Sequence, residues 1–113
     1  MPFINVKTNV SVPDDKAEVI KSQLGQAITA VPGKSEGWLM VGIEPEYKLW
    51  FKGDDAPAAM VGVSLYGNAS DNALSTLTSH ITGILTDSLG ISSDRIYVSY
   101  MATDNWGWNG SNF

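Results

Sequence analysis

The chain opens with Met1-Pro2-Phe3-Ile4-Asn5-Val6-Lys7-Thr8-Asn9-Val10, a stretch that reads with a period of two residues. Successive side chains of a β-strand point to opposite faces of its sheet. One face of this stretch therefore carries Pro2, Ile4, Val6 and Thr8, and the other carries Phe3, Asn5, Lys7 and Asn9. We expect a strand that begins at the terminus itself, with no leader before it.

Proline at position 2 also makes the start of this strand a candidate for a reactive group. Initiator methionine is normally trimmed before a small residue, and its loss would leave a free secondary amine on an ordered strand. We take the Pro2 amine as a candidate general base. The alternative is purely structural, because proline is also a favourable first residue of an edge strand.

This strand begins an internal repeat in which equivalent positions lie 57 residues apart. A first helix is predicted over about Pro13 to Val31, since its apolar residues recur every three or four positions: Ala17, Ile20, Leu24, Ala27, Ile28 and Val31. The same offset leads to a second helix, on which five of the six matching residues are apolar: Leu74, Leu77, Ile81, Ile84, Leu85 and Ser88. Asn68 and Ser70 offer N-cap oxygens at its start.

Strands flank each helix. They are predicted over Leu39 to Ile43, Ala58 to Tyr66 and Ile96 to Tyr100, with an extra short strand over Tyr47 to Phe51. Each half thus reads strand, helix, strand, and the long crossover favours parallel pairing of its two strands. The sequence predicts an α+β fold in one domain, residues 1–113, with pseudo-repeats of about 1–57 and 58–113.

Two helices can cover only one face of a four-stranded sheet. The other face carries apolar side chains that have to be shielded from water, so we predict that the chain forms an oligomer.

Composition excludes several classes of protein. Seven Lys and Arg against twelve Asp and Glu give a net charge of -5, and the basic residues are scattered, which disfavours nucleic acid and anionic membranes as partners. The chain has no cysteine and one histidine, His80, so neither a disulfide nor a metal site is expected. No apolar run reaches the roughly 20 residues of a membrane helix. Without a signal peptide, the expected compartment is the cytosol.

The C-terminal segment belongs to neither repeat and reads Asn105-Trp106-Gly107-Trp108-Asn109-Gly110-Ser111-Asn112-Phe113. Three aromatic residues in nine argue against a disordered tail. Such a segment can dock on its own domain, cross to a neighbouring subunit, or line a pocket. Packing alone would also account for Trp106, Trp108 and Phe113.

Several motifs together resemble the macrophage migration inhibitory factor family of the tautomerase superfamily. They are Pro2, Thr8-Asn9, Gly33-Lys34, Phe51-x-Gly53, Asp94-Arg95-Ile96-Tyr97 and Gly107-Trp108-Asn109-Gly110-Ser111 with Phe113, in register across nearly the whole chain. The resemblance implies a homotrimer in which three four-stranded sheets form a barrel wrapped by six helices. It also implies a pocket at each subunit interface, where a cofactor-free keto-enol tautomerase acts on aromatic α-keto acids such as phenylpyruvate, or on dopachrome.

The resemblance also implies roles for individual residues. Pro2 matches the catalytic base and Lys34 the lysine that contacts the substrate carboxylate. Tyr97 matches the tyrosine contributed by an adjacent subunit. Trp38 stands where the family has another aromatic residue, and the remaining pocket-rim positions match Trp106 and Phe113.

Three departures from the family pattern matter for the site. Tyr66 stands where the family usually has isoleucine, so its backbone contact can persist while its phenol changes the pocket wall. Ser99 replaces an asparagine, so the hydrogen bond that the family makes to the substrate at this position does not follow from the resemblance. Pro57-Ala58-Ala59-Met60-Val61 replaces a motif with two cysteines, which removes thiol–disulfide activity by that route.

Some of these residues also have simpler interpretations. Lys34 could merely face the negative end of the first helix, Tyr97 could be a core aromatic residue, and His80 is expected to be solvated. At the level of function, the alternative to an enzyme is a cytokine-like signalling protein with a residual pocket. Such a protein would bind a receptor after secretion without a signal peptide.

Overall fold

The computed structural model describes all residues from Met1 to Phe113. Its elements are β1 (Pro2–Thr8), α1 (Asp14–Ala27), β2 (Met40–Glu44), β3 (Ala59–Tyr66), α2 (Asp71–Leu89), β4 (Ile96–Thr103), β5 (Gly107–Trp108) and β6 (Ser111–Asn112). Short 3-10 turns occupy Ile28–Ala30, Glu36–Trp38 and Ser93–Arg95. The predicted α+β class with two helices and a four-stranded sheet is confirmed.

The main sheet has the strand order β2-β1-β3-β4. β1 pairs in parallel with β2, β3 pairs in parallel with β4, and the two halves meet in the antiparallel pair β1–β3. The parallel pairing expected within each half is therefore confirmed. β5 and β6 form a separate two-stranded hairpin.

Alternation along β1 and β3 places one set of side chains in the core and the other on the open face. Both strands show a strict buried and half-buried alternation, and Ile4, Val6, Val61 and Val63 are almost completely buried. The helices close this side with fully buried side chains, namely Ile20, Leu24 and Ile28 from the first half and Leu77, Ile81 and Leu85 from the second. One continuous core results.

Helix boundaries follow local chemistry. Pro13 is the N-cap position of α1, and the helix gives way to a 3-10 turn after Ala27, earlier than the predicted limit at Val31. Ser70 caps α2 by accepting a hydrogen bond from the Ala73 N–H at 3.1 Å. Asn68, the other expected N-cap residue, lies outside the helix.

The predicted strand over Tyr47 to Phe51 is wrong for this chain. Only an isolated bridge between Phe51 and Asp54 occurs there. No strand of the chain's own sheet pairs with this segment. The Asn9 amide instead donates to the Leu49 carbonyl at 3.1 Å and to the Asp55 and Ala56 carbonyls of the following loop at 3.2 and 3.0 Å. The segment is thus held in a fixed shape without a place in the sheet.

The open face of the sheet keeps large apolar side chains in contact with solvent. Met40 is 67% exposed, and Tyr97 and Met101 are each 60% exposed. Residues paired across the strands place Phe3, Met40, Ser64 and Met101 in one row of this face. No helix of the fold has the length and apolar character that crossing a membrane requires.

Candidate active site

Pro2 is the first residue of β1 and is buried. The carbonyl of Met1, which is bonded directly to the Pro2 nitrogen, accepts a hydrogen bond from the Tyr66 N–H at 3.2 Å. The end of β3 therefore aims a backbone donor at the immediate surroundings of the Pro2 nitrogen.

Lys34 reaches the same place from the other side. Gly33, with a φ of 82°, turns the chain after the first helix, and the Lys34 Nζ donates to the Tyr66 carbonyl at 2.8 Å. The ammonium thus binds β3 across the sheet end, whereas the simpler interpretation placed it at the carbonyls of α1. Tyr66 presents its N–H to Met1 and its carbonyl to Lys34.

The electrostatic effect of this arrangement is visible at the terminal amine. Partial burial, then the Lys34 charge and a hydrogen bond from Lys34, together lower the pKa of the Met1 amino group below its ordinary value. The first two causes have a clear physical basis, because desolvation and a nearby cation each disfavour an ammonium ion. An amine at this end of β1 is biased toward its neutral form.

Aromatic side chains surround this end of the sheet. The Trp38 and Trp108 rings meet edge to face at 5.2 Å, the Trp108 and Phe113 rings stack at 6.5 Å, and the Phe113 and Tyr66 rings pack at 5.2 Å. Beside them lies a cavity of about 380 Å³ whose lining includes Met1, Pro2, Phe3, Met40 and the three tryptophans at 38, 106 and 108.

The C-terminal hairpin brings three of these aromatic residues to the site. Asn109 and Gly110 both have positive φ, 54° and 90°, as a two-residue type I′ turn requires. The Phe113 N–H donates to the Trp106 carbonyl at 3.1 Å and closes the hairpin. Of the arrangements open to this segment, the structure therefore has it docked on its own domain and lining the cavity.

Sequence reasoning missed several members of this cavity. Phe3 and Met40 were treated only as strand residues, yet they are paired neighbours across β1 and β2 at its edge. Trp108, for which packing alone was one of the interpretations left open, lines the cavity. The Asn109-Gly110 pair was a readable hairpin signal, since this dipeptide favours type I′ turns.

Two residues assigned to the site lie elsewhere in the chain's own fold. Tyr97 pairs with Met60 and Ser99 with Gly62, whereas Pro2 pairs with Leu65. Met60 lies five positions and Gly62 three positions from Leu65 along β3, which correspond to roughly 17 Å and roughly 10 Å. Tyr97 and Ser99 are exposed on the open face, and the Tyr97 ring meets Phe51 at 5.0 Å. One chain does not bring them to Pro2.

A larger depression of about 540 Å³ lies between the two helices. Its lining is mostly polar and includes Gln23, Gln26, Thr76 and the exposed His80. None of the residues assigned to the site takes part in it.

The arrangement is that of a small-molecule site built at a strand terminus. The α+β fold places an N-terminal amine, the Lys34 ammonium and the Tyr66 N–H, which here binds the Met1 carbonyl, beside an aromatic cavity.

Comparison with known proteins identifies the family. The family described as macrophage migration inhibitory factor matches residues 1–113. Macrophage migration inhibitory factor of Meriones unguiculatus is 36% identical over 118 residues, covering 100% of this chain and 99% of the relative. The chain belongs to the macrophage migration inhibitory factor family.

Solved structures agree with this assignment. Leishmania major MIF2 superposes with a TM-score of 0.93 at 34% identity, covering 100% of this chain and 97% of that one. The homologue from Prochlorococcus marinus has a TM-score of 0.84 at 27% identity, covering 98% of both chains.

Proposed function

We propose that this chain is a cofactor-free keto-enol tautomerase of aromatic α-keto acids of the phenylpyruvate type, with dopachrome as a further candidate substrate. The Pro2 amine, set free by removal of Met1, is the general base. The observation that carries the proposal is the convergence of the Lys34 ammonium and the Tyr66 N–H beside the Pro2 nitrogen.

The base has to be neutral to accept a proton from carbon. An ordinary α-amine, with a pKa of about 7.7 to 8.0, is only about a tenth neutral at pH 7. Burial and the Lys34 charge, which lower the pKa of the Met1 amine, would act in the same direction on the Pro2 amine.

The substrate carboxylate then has two donors. Lys34 supplies a charge-assisted hydrogen bond, and loss of Met1 releases the Tyr66 N–H from the carbonyl that it now contacts. With the carboxylate held there, the methylene carbon between the ketone and the aryl group lies toward the Pro2 nitrogen, and the aryl group enters the aromatic cavity beside Trp38, Trp106 and Phe113. Each proton that Pro2 removes from carbon is returned to the ketone oxygen of the substrate. The oxidation state of the substrate does not change, so no redox partner or cofactor is needed.

A second subunit completes this site in the proposal. Tyr97 and Ser99 are exposed and distant from Pro2 of their own chain, and the open face carries exposed Met40 and Met101. Three copies closing into a barrel would cover that face and bring Tyr97 and Ser99 of one copy to Pro2 of the next. Sedimentation that showed only monomer at micromolar concentration would contradict this assembly.

The test of the base is Pro2→Gly, measured by steady-state enol formation from phenylpyruvate. Glycine keeps a free terminal amine but replaces the secondary amine with a more weakly basic primary one in a less restrained chain. We expect the variant to keep its oligomeric state and to lose most of its turnover. Unchanged turnover would reject Pro2 as the base.

Intact-mass measurement is the necessary companion of this assay. Met1 acylates the Pro2 nitrogen wherever it is retained, so activity should scale with the fraction of chains that lack it. Activity in a preparation that retains Met1 completely would also reject the mechanism.

The second candidate is a cytokine-like signalling protein, acting through a receptor after release from the cytosol without a signal peptide. The departures at Tyr66 and Ser99 favour it, because both alter positions where the family contacts substrate. Cell-surface binding that survives in Pro2→Gly, together with absent turnover in the parent protein, would favour signalling over catalysis.

A further inference from the structure

Tyr66 and Trp38 lie on either side of Met1. The Tyr66 N–H binds the Met1 carbonyl at 3.2 Å, while Trp38 lines the same cavity as Met1. A series of four rings connects these two residues: Trp38 contacts Trp108, Trp108 contacts Phe113, and Phe113 contacts Tyr66. We call this series the aromatic arch.

The Tyr66 end of the arch is firmly held. Tyr66 is the last residue of β3 and is paired with Thr103 of β4. Gly67, with a φ of 82°, then turns the chain and donates its N–H to the Thr103 carbonyl at 2.9 Å. The fixed backbone sets the direction in which the Tyr66 side chain leaves the sheet, and the Phe113 ring is its aromatic neighbour there.

Contact between the Tyr66 and Phe113 rings closes this end. Their centroids are 5.2 Å apart and their planes are inclined by 45°, which is direct aromatic contact. No third ring fits between two rings at that separation. A branched aliphatic side chain at position 66 would be shorter than tyrosine by most of a ring and would leave Phe113 without this neighbour.

We propose that Tyr66 determines substrate size by closing one end of the aromatic arch, so that the site accepts single-ring aryl acids and rejects fused two-ring ones. Of the two candidate substrates, phenylpyruvate is then favoured, and dopachrome, whose two rings are fused, is disfavoured. The inference rests on the proposed function in one respect, since it places the substrate's aryl group beneath the arch. Tyr66 acts through the bulk of its ring, while its backbone N–H and carbonyl stay with the carboxylate end of the site.

Binding measurements test this selectivity independently of turnover. Isothermal titration calorimetry would compare 4-hydroxycinnamate, a single-ring acid, with indole-2-carboxylate, a fused two-ring acid, on protein whose intact mass shows that Met1 is absent. We expect the parent protein to prefer the single-ring acid, and Tyr66→Ile to reduce that preference about tenfold, chiefly through tighter binding of the indole acid.

Matched variants separate the ring from its hydroxyl and from general damage. Tyr66→Phe keeps the ring and should keep the parental preference. Phe113→Leu removes the ring that Tyr66 packs against and should shift the preference in the same direction as Tyr66→Ile. The double variant should then shift it less than the two single effects combined, because both changes open the same contact.

The outcomes are distinct from those of the proposed function. A preference ratio that stays within twofold of the parent in Tyr66→Ile, or that moves equally in Tyr66→Phe, would overturn the role of the ring. Failure of the catalytic proposal would instead leave the binding preference intact and appear as turnover that ignores Pro2→Gly.

Discussion

At the scale of single residues, the site depends on the two backbone groups of Tyr66. Its N–H points to the Met1 carbonyl and its carbonyl binds the Lys34 ammonium at 2.8 Å. A sequence motif can identify Lys34, but the bond depends on where β3 ends, and no local pattern reveals that Lys34 reaches a strand 32 residues further on.

Lys34→Ala should raise the Michaelis constant for phenylpyruvate about tenfold or more, because a charge-assisted hydrogen bond to the carboxylate is lost. Steady-state kinetics on Lys34→Ala and on a matched control, Lys21→Ala, would measure it. Lys21 is an exposed helix lysine that pairs only with Glu18 at 3.5 Å, and its variant should stay within twofold of the parent. Equal effects in the two variants would contradict a role in substrate binding.

The same substitution should also move the pH dependence of kcat/KM. Activity falls as pH drops through the pKa of the base, since the protonated amine cannot accept a proton. The Lys34 charge is one cause of the lowered pKa of the amine at this terminus. Removing that charge should raise the pKa of the base, so the acid limb of the kcat/KM profile should move to higher pH. An acid limb at the parental position would show that Lys34 does not act on the base.

At the scale of elements, the order of helices and strands could be predicted, except for one segment. The alternation of apolar residues in β1 was sufficient to predict a strand, and their spacing of three or four around Leu24 and Ile81 was sufficient to predict the helices. In each case the apolar residues form one continuous buried face. The segment Tyr47 to Phe51 has an apolar composition typical of a strand, yet a strand needs a partner, and pairing is a long-range property. No strand of the same chain pairs with it, and the Asn9 side chain contacts it at one carbonyl, that of Leu49.

Two glycines associated with α2 should respond oppositely to alanine. Gly83 lies within the exposed part of the helix, and an added methyl group would meet no atom within 4 Å. Gly83→Ala should raise the free energy of unfolding by about 0.5–1 kcal/mol. Gly90 ends the helix with a φ of 70°, a conformation that alanine adopts only with strain. Gly90→Ala should therefore lower the free energy of unfolding by about 1 kcal/mol.

Urea unfolding at a single protein concentration would measure both changes, since the stability of an oligomer depends on concentration. Each variant is the control for the other. Loss of stability in Gly83→Ala would mean that its exposed face is covered in the assembled protein.

At the scale of the whole molecule, one chain holds an incomplete set of the expected site residues. Pro2 and Lys34 are together at one end of the sheet, whereas Tyr97 and Ser99 lie further along the open face. The sequence could place all of them only through family resemblance, because the relation between copies is absent from local patterns.

Mixed assemblies test whether two copies share each site. Co-expression of Pro2→Gly and Tyr97→Ala chains should restore activity that neither variant has alone, because Pro2 of one copy would meet Tyr97 of another. If both residues act within one chain, no site in the mixture carries both and activity stays at the level of the separate variants. Phenylpyruvate turnover of purified mixed trimers would distinguish the two results.

Hydrogen bonds from Asn9 and Arg95 hold the loop between β2 and β3 in place, and this affects how copies of the chain would associate. Asn9 binds this loop at three carbonyls, and Arg95 pairs with the Asp54 carboxylate at 2.8 Å while donating to the Pro57 and Ala56 carbonyls. A protomer therefore has this loop ordered before it meets another copy. Any contact that the loop makes in an oligomer would then carry little further entropic cost for ordering it. After dilution and reconcentration, the rate of reassembly would then be limited by collisions between folded protomers.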